Sequence, residues 1–499
     1  MILLEILYLI VAAWLAVYGF NALYLTLVSR LRNKPAPEIN PGPGFDWPAV
    51  TVQLPVYNER YVAERLINAV AALDYPSDRL QIQVLDDSDD ITTEIISRAI
   101  TRVRAGDVDI QHIRRPDRQG YKGGALQYGL KYSDGEFIAI FDADFLPEAN
   151  TLKRIIPHFA SRPRIGCIQA RWGHINPNSS WLTRSQAAGI DGHFLIQQET
   201  RSAEGLFLNF NGTGGVWRRD CIEGAGGWQG DTLTEDLDLS YRAQLRGWRI
   251  LYLPHVSVPG ELPVHISAFK RQQFRWAKGS IQTAQKLLGQ LWRSRQPLRI
   301  KITGTIHLTN YMVHPLILLN LLLTLPVIIS GSPLLHIVPV FTLAAIGPIF
   351  MYWFSMGSQG RSPLARAAQL GVLLITGMGL SLNNARAVLE ALLGIKTSFL
   401  RTPKFNVRGG GTVKQDRAYT LPLDPIVLLE IALAVYSLVL LLFVLQMGVW
   451  RLVLWLPLYI GGFSYVAGLG IYQSLQSRSA AKKVLPSKPD RSLERLSGD

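Results

Sequence analysis

The stretch Phe137-Ile138-Ala139-Ile140-Phe141-Asp142-Ala143-Asp144-Phe145 is an apolar run that ends abruptly in two carboxylates. Five consecutive apolar residues read as a strand covered on both faces, the pattern of a mostly parallel sheet. Working outward, Thr51-Val52-Gln53-Leu54 is a second short strand, ended by Pro55. Ile82 to Leu85 is a third, and it also ends in acids, Asp86-Asp87-Ser88. Ala63 to Leu73 and Ile91 to Val103 read as helices between them. Alternating strands and helices indicate an α/β sheet. Ligands in such sheets sit beyond the carboxyl ends of the strands, where both acidic clusters fall.

Asp142 and Asp144 can be brought by a turn onto one hard cation. Mg²⁺ or Mn²⁺ is held by a few carboxylates together with substrate phosphates. The competing reading is a solvated turn. Asp86 and Asp87 can accept hydrogen bonds from a base or ribose, or cap the following helix. Lys122-Gly123-Gly124 offers a cation and open backbone amides suited to phosphate. Thr234-Glu235-Asp236 lies in the acidic stretch from Asp231 to Asp238. A carboxylate there can take the proton of an acceptor hydroxyl, or can simply favour a helix start. Gln272-Gln273-Phe274-Arg275-Trp276 joins an amide, a guanidinium and an indole, suited to a sugar face and a leaving diphosphate, or to a membrane interface. No G-x-G-x-x-G follows the first strand and no Walker loop exists, which disfavours a dehydrogenase or a P-loop ATPase.

The chain has 499 residues, of which 48% are hydrophobic and only 18% charged, against about 25% charged in soluble proteins. A membrane protein is expected, and a disordered or nucleic-acid-tail protein is excluded. There are 51 Lys and Arg against 37 Asp and Glu, a formal net charge of +14, which fits anionic membrane surfaces or phosphorylated ligands. Cys167 and Cys221 are too few for a disulfide framework.

Ile6 to Ser29 is free of charge and long enough to span. Ile302 to Gly360 suffices for two spans, turning at Gly331-Ser332-Pro333. Ile426 to Met447 and Leu452 to Tyr472 form a last hairpin. Ala367 to Ala385 is flanked by cations on both sides, so a re-entrant or interfacial segment is expected and the count is five. The central region and the basic tail (Lys482, Lys483, Lys488, Arg491) then share the cytosolic side of an inner or plasma membrane. The expected division is a membrane helix over 1–30, a Pro-rich linker over 31–47 and an α/β catalytic domain over 48–300. A membrane region over 301–474 follows, with its re-entrant part at 367–395 and a loop at 396–420, and then a tail over 475–499.

The order Asp-Asp, D-x-D, Thr-Glu-Asp and Gln-x-x-Arg-Trp between membrane segments resembles the family 2 membrane glycosyltransferases of the GT-A fold. Several stretches resemble its cellulose synthase-like A and C branch: Gln83-Val84-Leu85-Asp86-Asp87-Ser88, Gly120-Tyr121-Lys122-Gly123-Gly124-Ala125-Leu126, Gln169-Ala170-Arg171-Trp172, Phe210-Asn211-Gly212-Thr213, Gly226-Gly227-Trp228 and Glu261-Leu262-Pro263. That branch makes mannan, glucomannan or β-glucan.

The resemblance implies that Asp86, Asp87, Lys122 and Asp142 bind the nucleotide sugar. Asp142 and Asp144 hold Mg²⁺ or Mn²⁺, and Asp236, beside Glu235, is the base. Gln272, Arg275, Trp276, Asn211 and Gly212 bind the acceptor or the diphosphate. Phe399-Leu400-Arg401-Thr402-Pro403-Lys404 resembles the gating loop F-x-V-T-x-K, with Phe399, Thr402 and Lys404 at its marked positions and Arg401 in place of Val. The expected protein is a processive, inverting β-glycosyltransferase that uses UDP-glucose or GDP-mannose and extrudes a β-1,4-glycan through the bilayer. A non-processive glycolipid synthase, with a lipid acceptor, is the second expectation, and a transporter with a cytosolic domain a remote third.

Overall fold

The structure is a computed structural model that describes residues 2–32, 37–105, 108–160, 162–331, 343–397, 402–407, 422–450 and 453–483. Phe399, Arg401, the turn residues Ser332 and Pro333, and the tail from 484 onward lie outside the described residues.

Seven strands form one sheet in the order β3-β2-β1-β4-β6-β5-β7: β1 Val50–Val56, β2 Leu80–Asp86, β3 Ile110–Ile113, β4 Phe137–Ile140, β5 Ile165–His174, β6 Gly215–Arg218 and β7 Arg249–Gly260. β1 runs parallel to β2 and β4, and β2 to β3. β6 runs antiparallel to β4 and β5, and β5 is parallel to β7. The sheet is therefore mixed: β6, fifth in the order, is reversed, and the other strands share one direction, the mostly parallel sheet that the apolar strands with acidic ends predict.

β1 shows why the sheet needs covering on both sides. Val50, Val52, Leu54 and Val56 enter one buried cluster with Ile67, Val70 and Phe159. On the opposite face the buried polar side chains pair with one another: Thr51 Oγ1 donates to Gln81 Oε1 at 2.8 Å, and Gln53 Nε2 to Gln83 Oε1 at 3.1 Å. Such groups are tolerated inside only when bonded.

Contrary to the expected strand end at Pro55, β1 runs through it to Val56. The reason lies in the register. Pairing with β4 ends at Gln53↔Ile140, and Pro55, two residues on, faces the side that β4 has already left. The missing proline N–H therefore removes no ladder bond.

β4 stops at Ile140 and the chain turns. The Phe145 N–H donates to the Asp142 carbonyl at 3.0 Å, and the Leu146 N–H to the Pro259 carbonyl at 2.9 Å. The two acids thus sit in a turn tied to the end of β7, above the centre of the sheet.

Among the described residues, three helices are long and apolar enough to cross a membrane: Ile2–Leu31, Asn310–Ile329 and Val427–Gln446. The expected re-entrant stretch is a pair, Pro363–Gly379 and Ser381–Leu392, bent by 42°, and would make a fourth if it crossed as one broken span. Backbones meet at small residues, as helices in lipid require. A side chain at Gly19 would strike Ala344, and one at Gly379 would strike Gly462. The helix Ile266–Arg293 is amphipathic and buries Ala277, Ile281, Ala284, Leu287 and Leu291. It carries Gln272, Arg275 and Trp276 to the sheet's acidic end.

Candidate active site

The end of β1 and the acidic ends of β2 and β4 converge on one cleft of about 210 Å³. Asp87, Lys122, Asp142, Asp144, Asn211, Gly212, Glu235, Asp236, Gln272, Arg275, Trp276, Thr402 and Lys404 all line it. They come from seven separate stretches of chain, and the sheet is what brings them together.

Lys122 stands at the centre. It opens the helix Tyr121–Gly129. Its Nζ lies 2.6 Å from Asp142 Oδ1 and 3.9 Å from Glu235 Oε1, and donates to the Gly212 carbonyl at 2.8 Å. Burial works to discharge it, but Asp142 and Glu235 prevail and hold its pKa above the ordinary lysine value. Burial pushes the Asp142 carboxyl up, and the neighbouring Asp144 adds to this against the pull of Lys122. Asp144 contacts Lys404 Nζ at 2.5 Å.

Asp236 sits in the first turn of the helix Glu235–Leu245. Its Oδ1 accepts the Leu237 N–H at 2.8 Å. Its Oδ2 stands over Gly212, which has φ +82 and would place a Cβ 3.1 Å from that oxygen and 3.3 Å from Lys122 Nζ. Both the backbone angle and the space therefore require glycine there. Burial, reinforced by Glu235, pushes the Asp236 carboxyl up to about 7. A carboxyl tuned near neutrality is what a general base needs.

Asp86 lies behind the cleft wall, with no exposed side-chain surface. Its Oδ2 meets His112 Nε2 at 3.0 Å and its Oδ1 accepts the Ser88 N–H at 2.9 Å. Burial raises its carboxyl, but these bonds outweigh burial and hold it below the usual value. Asp87 faces the cleft and is gripped bidentately by Arg115 at 2.7 and 2.6 Å. Arg115 also donates to the Gln119 and Tyr121 carbonyls, so this pair fixes the loop that precedes Lys122. Arg115 went unnoticed in the sequence. The signal available was its place just past the end of β3, level with the acidic ends of the neighbouring strands.

The segment 402–407 closes against the same cleft. Lys404 Nζ donates to the Glu261 carbonyl at 2.8 Å, and Arg275 donates to Thr402 Oγ1 at 3.2 Å. Glu261 accepts the Phe405 N–H and pairs with Arg65 at 3.2 Å. Trp276 stands 6.3 Å, ring to ring, from Trp172, and both indoles line the cleft.

A divalent cation fits this donor set. Asp142 and Asp144 present hard carboxylate oxygens, and each has an ammonium group against it, Lys122 and Lys404. Two carboxylates with diphosphate oxygens are a sufficient shell for Mg²⁺ or Mn²⁺.

The family described as Glycosyltransferase like family 2 matches residues 48–279, and the family described as Cellulose synthase matches residues 220–356. Residues 48–279 belong to the family 2 glycosyltransferases and run on into a cellulose synthase region that ends at residue 356. The curated relatives include Glucomannan 4-beta-mannosyltransferase 2 of Arabidopsis thaliana, 43% identical over 50% of this chain and 48% of that protein. Glucomannan 4-beta-mannosyltransferase 1 of Oryza sativa subsp. japonica is 41% identical over 54% of this chain and 52% of that protein. The chain spans about half the length of the curated relatives it matches. Among solved structures, the mannosyltransferase PcManGT from Pyrobaculum calidifontis, in complex with GDP-Man and Mn²⁺, shares the glycosyltransferase fold. The TM-score is 0.54 at 21% identity, covering 79% of this chain and 100% of that one.

Proposed function

We propose that the protein is a membrane-embedded, inverting β-mannosyltransferase that uses GDP-mannose and a divalent cation to polymerise a β-1,4-mannan or glucomannan chain. The observation that carries this reading is the convergence of Asp142, Asp144, Lys122 and Asp236 on one cleft that has indoles at its acceptor side. The names of the plant relatives and of the archaeal neighbour direct the choice of donor toward GDP-mannose over UDP-glucose.

The chemistry follows from these groups. Asp87 and the Arg115-fixed loop border the nucleotide end of the cleft. Asp142 and Asp144 would hold the cation, which supplies charge to the diphosphate oxygens. Lys122 and Arg275 add fixed positive charge where the leaving group develops its negative charge. Asp236 Oδ2 takes the proton of the acceptor hydroxyl as that oxygen bonds to the anomeric carbon. The bond from that carbon to the diphosphate breaks, and GDP departs with the electron pair. One displacement from the opposite face inverts the centre.

Extrusion has its own support. A second cavity, of about 380 Å³, shares Trp172, Asn211, Asp236 and Trp276 with the cleft and continues to Tyr311, His314, Tyr352 and Thr376 among the apolar helices. A chain elongated at Asp236 has this route away from the donor. The cations that follow the first span, among them Arg30, support a catalytic region on the cytosolic side of a multi-pass protein. The segment 402–407 is the closing part of a gating loop.

The test is incubation of membranes carrying the protein with radiolabelled GDP-mannose and, separately, UDP-glucose. The expected product is a labelled polymer from GDP-mannose that endo-β-1,4-mannanase degrades. A single labelled mannose on lipid, or no incorporation, would overturn the reading.

A further inference from the structure

The helix Trp181–Gly192 does not end at Gly192. It widens into a π-turn, His193–Gln198, and resumes as Glu199–Ala203. Such widening rotates the side chains that follow and recurs at functional places. Here it brings His193 against the strip that carries Gly212.

The hydrogen bonds around His193 form a short chain. Its Nδ1 lies 3.0 Å from Gln197 Oε1, and its Nε2 lies 3.0 Å from Asn211 Oδ1. Asn211 Oδ1 also accepts from Asn209 Nδ2 at 2.9 Å. That amino group is oriented in turn by the Phe210 carbonyl at 3.3 Å. The Asn211 backbone N–H is fixed by Gln169 Oε1 at 2.8 Å.

Burial holds His193 below the ordinary histidine value, against the bonds to Gln197 and Asn211. A neutral imidazole has one N–H to give. Asn209 already identifies the Asn211 atom facing His193 as the oxygen, so the proton belongs on Nε2. Nδ1 is then an acceptor, and the Gln197 amide turns its amino group toward it. That turn costs only a contact to the Met351 sulfur at 3.3 Å, a weak acceptor.

The consequence falls on Asn211. Its oxygen is filled by two donors. Its amino group makes one bond, to the Asn209 carbonyl at 3.3 Å, and keeps a second hydrogen. Asn211 borders both the cleft and the cavity that leads into the helices, as Asp236 does.

We propose that His193 is a positioning residue for the acceptor sugar: its Nε2–H locks the Asn211 amide so that the amino group, and not the oxygen, meets the acceptor beside Asp236. This rests on the glycosyl-transfer reading above. An unlocked amide turns over and presents an oxygen where the acceptor needs a donor. The acceptor end is then held loosely, and water competes for the anomeric carbon.

The test is the partition of consumed GDP-mannose between free mannose and chain-bound mannose. This ratio does not depend on how much of a variant folds. His193→Leu is expected to raise the free-mannose share about fivefold, the scale of one lost hydrogen bond, and to shorten the chains. His193→Gln, which keeps an N–H at the Nε2 position, is expected to return the partition to within about twofold of the parent. A His193→Leu partition equal to the parent's, or a His193→Gln partition no better than that of His193→Leu, overturns the inference. A parent protein that consumes no GDP-mannose overturns the transfer reading itself, and the inference with it.

Discussion

Asp236→Asn is expected to lower mannosyl transfer by about 10³-fold, within the range that a general base contributes, while GDP-mannose still binds. The amide keeps the shape of the carboxylate and can still accept the Leu237 N–H bond at the helix start, so the fold has no reason to fail. What it loses is the atom that takes the acceptor's proton. Turnover of labelled GDP-mannose, together with its equilibrium binding, checks this. A variant with turnover within tenfold of the parent would move the base elsewhere.

Lys122→Met is the second large effect, and it acts on both stability and chemistry. Lys122 is the shared counter-charge of Asp142 and Glu235, and it also lies within the field of Asp236. Removing one partner of a buried ion pair costs about 3–5 kcal/mol. The cleft admits water and the Asp142 side chain is 30% exposed, so a smaller loss of about 2–3 kcal/mol is expected. Turnover is expected to fall at least about 10²-fold, since a fixed positive charge is lost where the diphosphate departs. A thermal melt and a turnover assay on the same preparation separate the two effects. An unchanged melting temperature would mean that Asp142 and Glu235 find other relief.

The sequence made some of this legible and hid the rest for identifiable reasons. The acids at the ends of β2 and β4 were readable because ligands of such a sheet sit beyond the carboxyl ends of its strands. Asp236 was readable as a candidate base, with an acid in a helix start as the competing reading. Its partnership with Gly212 depends on two loops meeting across the sheet, which periodicity does not encode. Asp86 and Asp87 look equivalent as neighbours in the chain. The strand's alternation sends Asp86 inward to His112 and leaves Asp87 at the cleft with Arg115. The reversal of β6 was invisible, because a four-residue apolar strand reads the same in either direction. Pro55 misled for a related reason: its tolerance depends on where β4 ends, a fact of register.

The pH dependence of kcat/KM for GDP-mannose, measured on the parent and on Glu235→Gln, tests most directly whether these carboxylates act as one tuned group. With the Asp236 carboxyl held near 7 by burial and Glu235, the base form is lost as pH falls through that value. The parent's activity is therefore expected to decline on the acid side around pH 7. Removing the Glu235 charge leaves burial opposed by Lys122 and the Leu237 N–H, so the acid limb is expected to move to lower pH. A parent profile flat from pH 5 to 8, or an acid limb that Glu235→Gln leaves in place, would contradict the account.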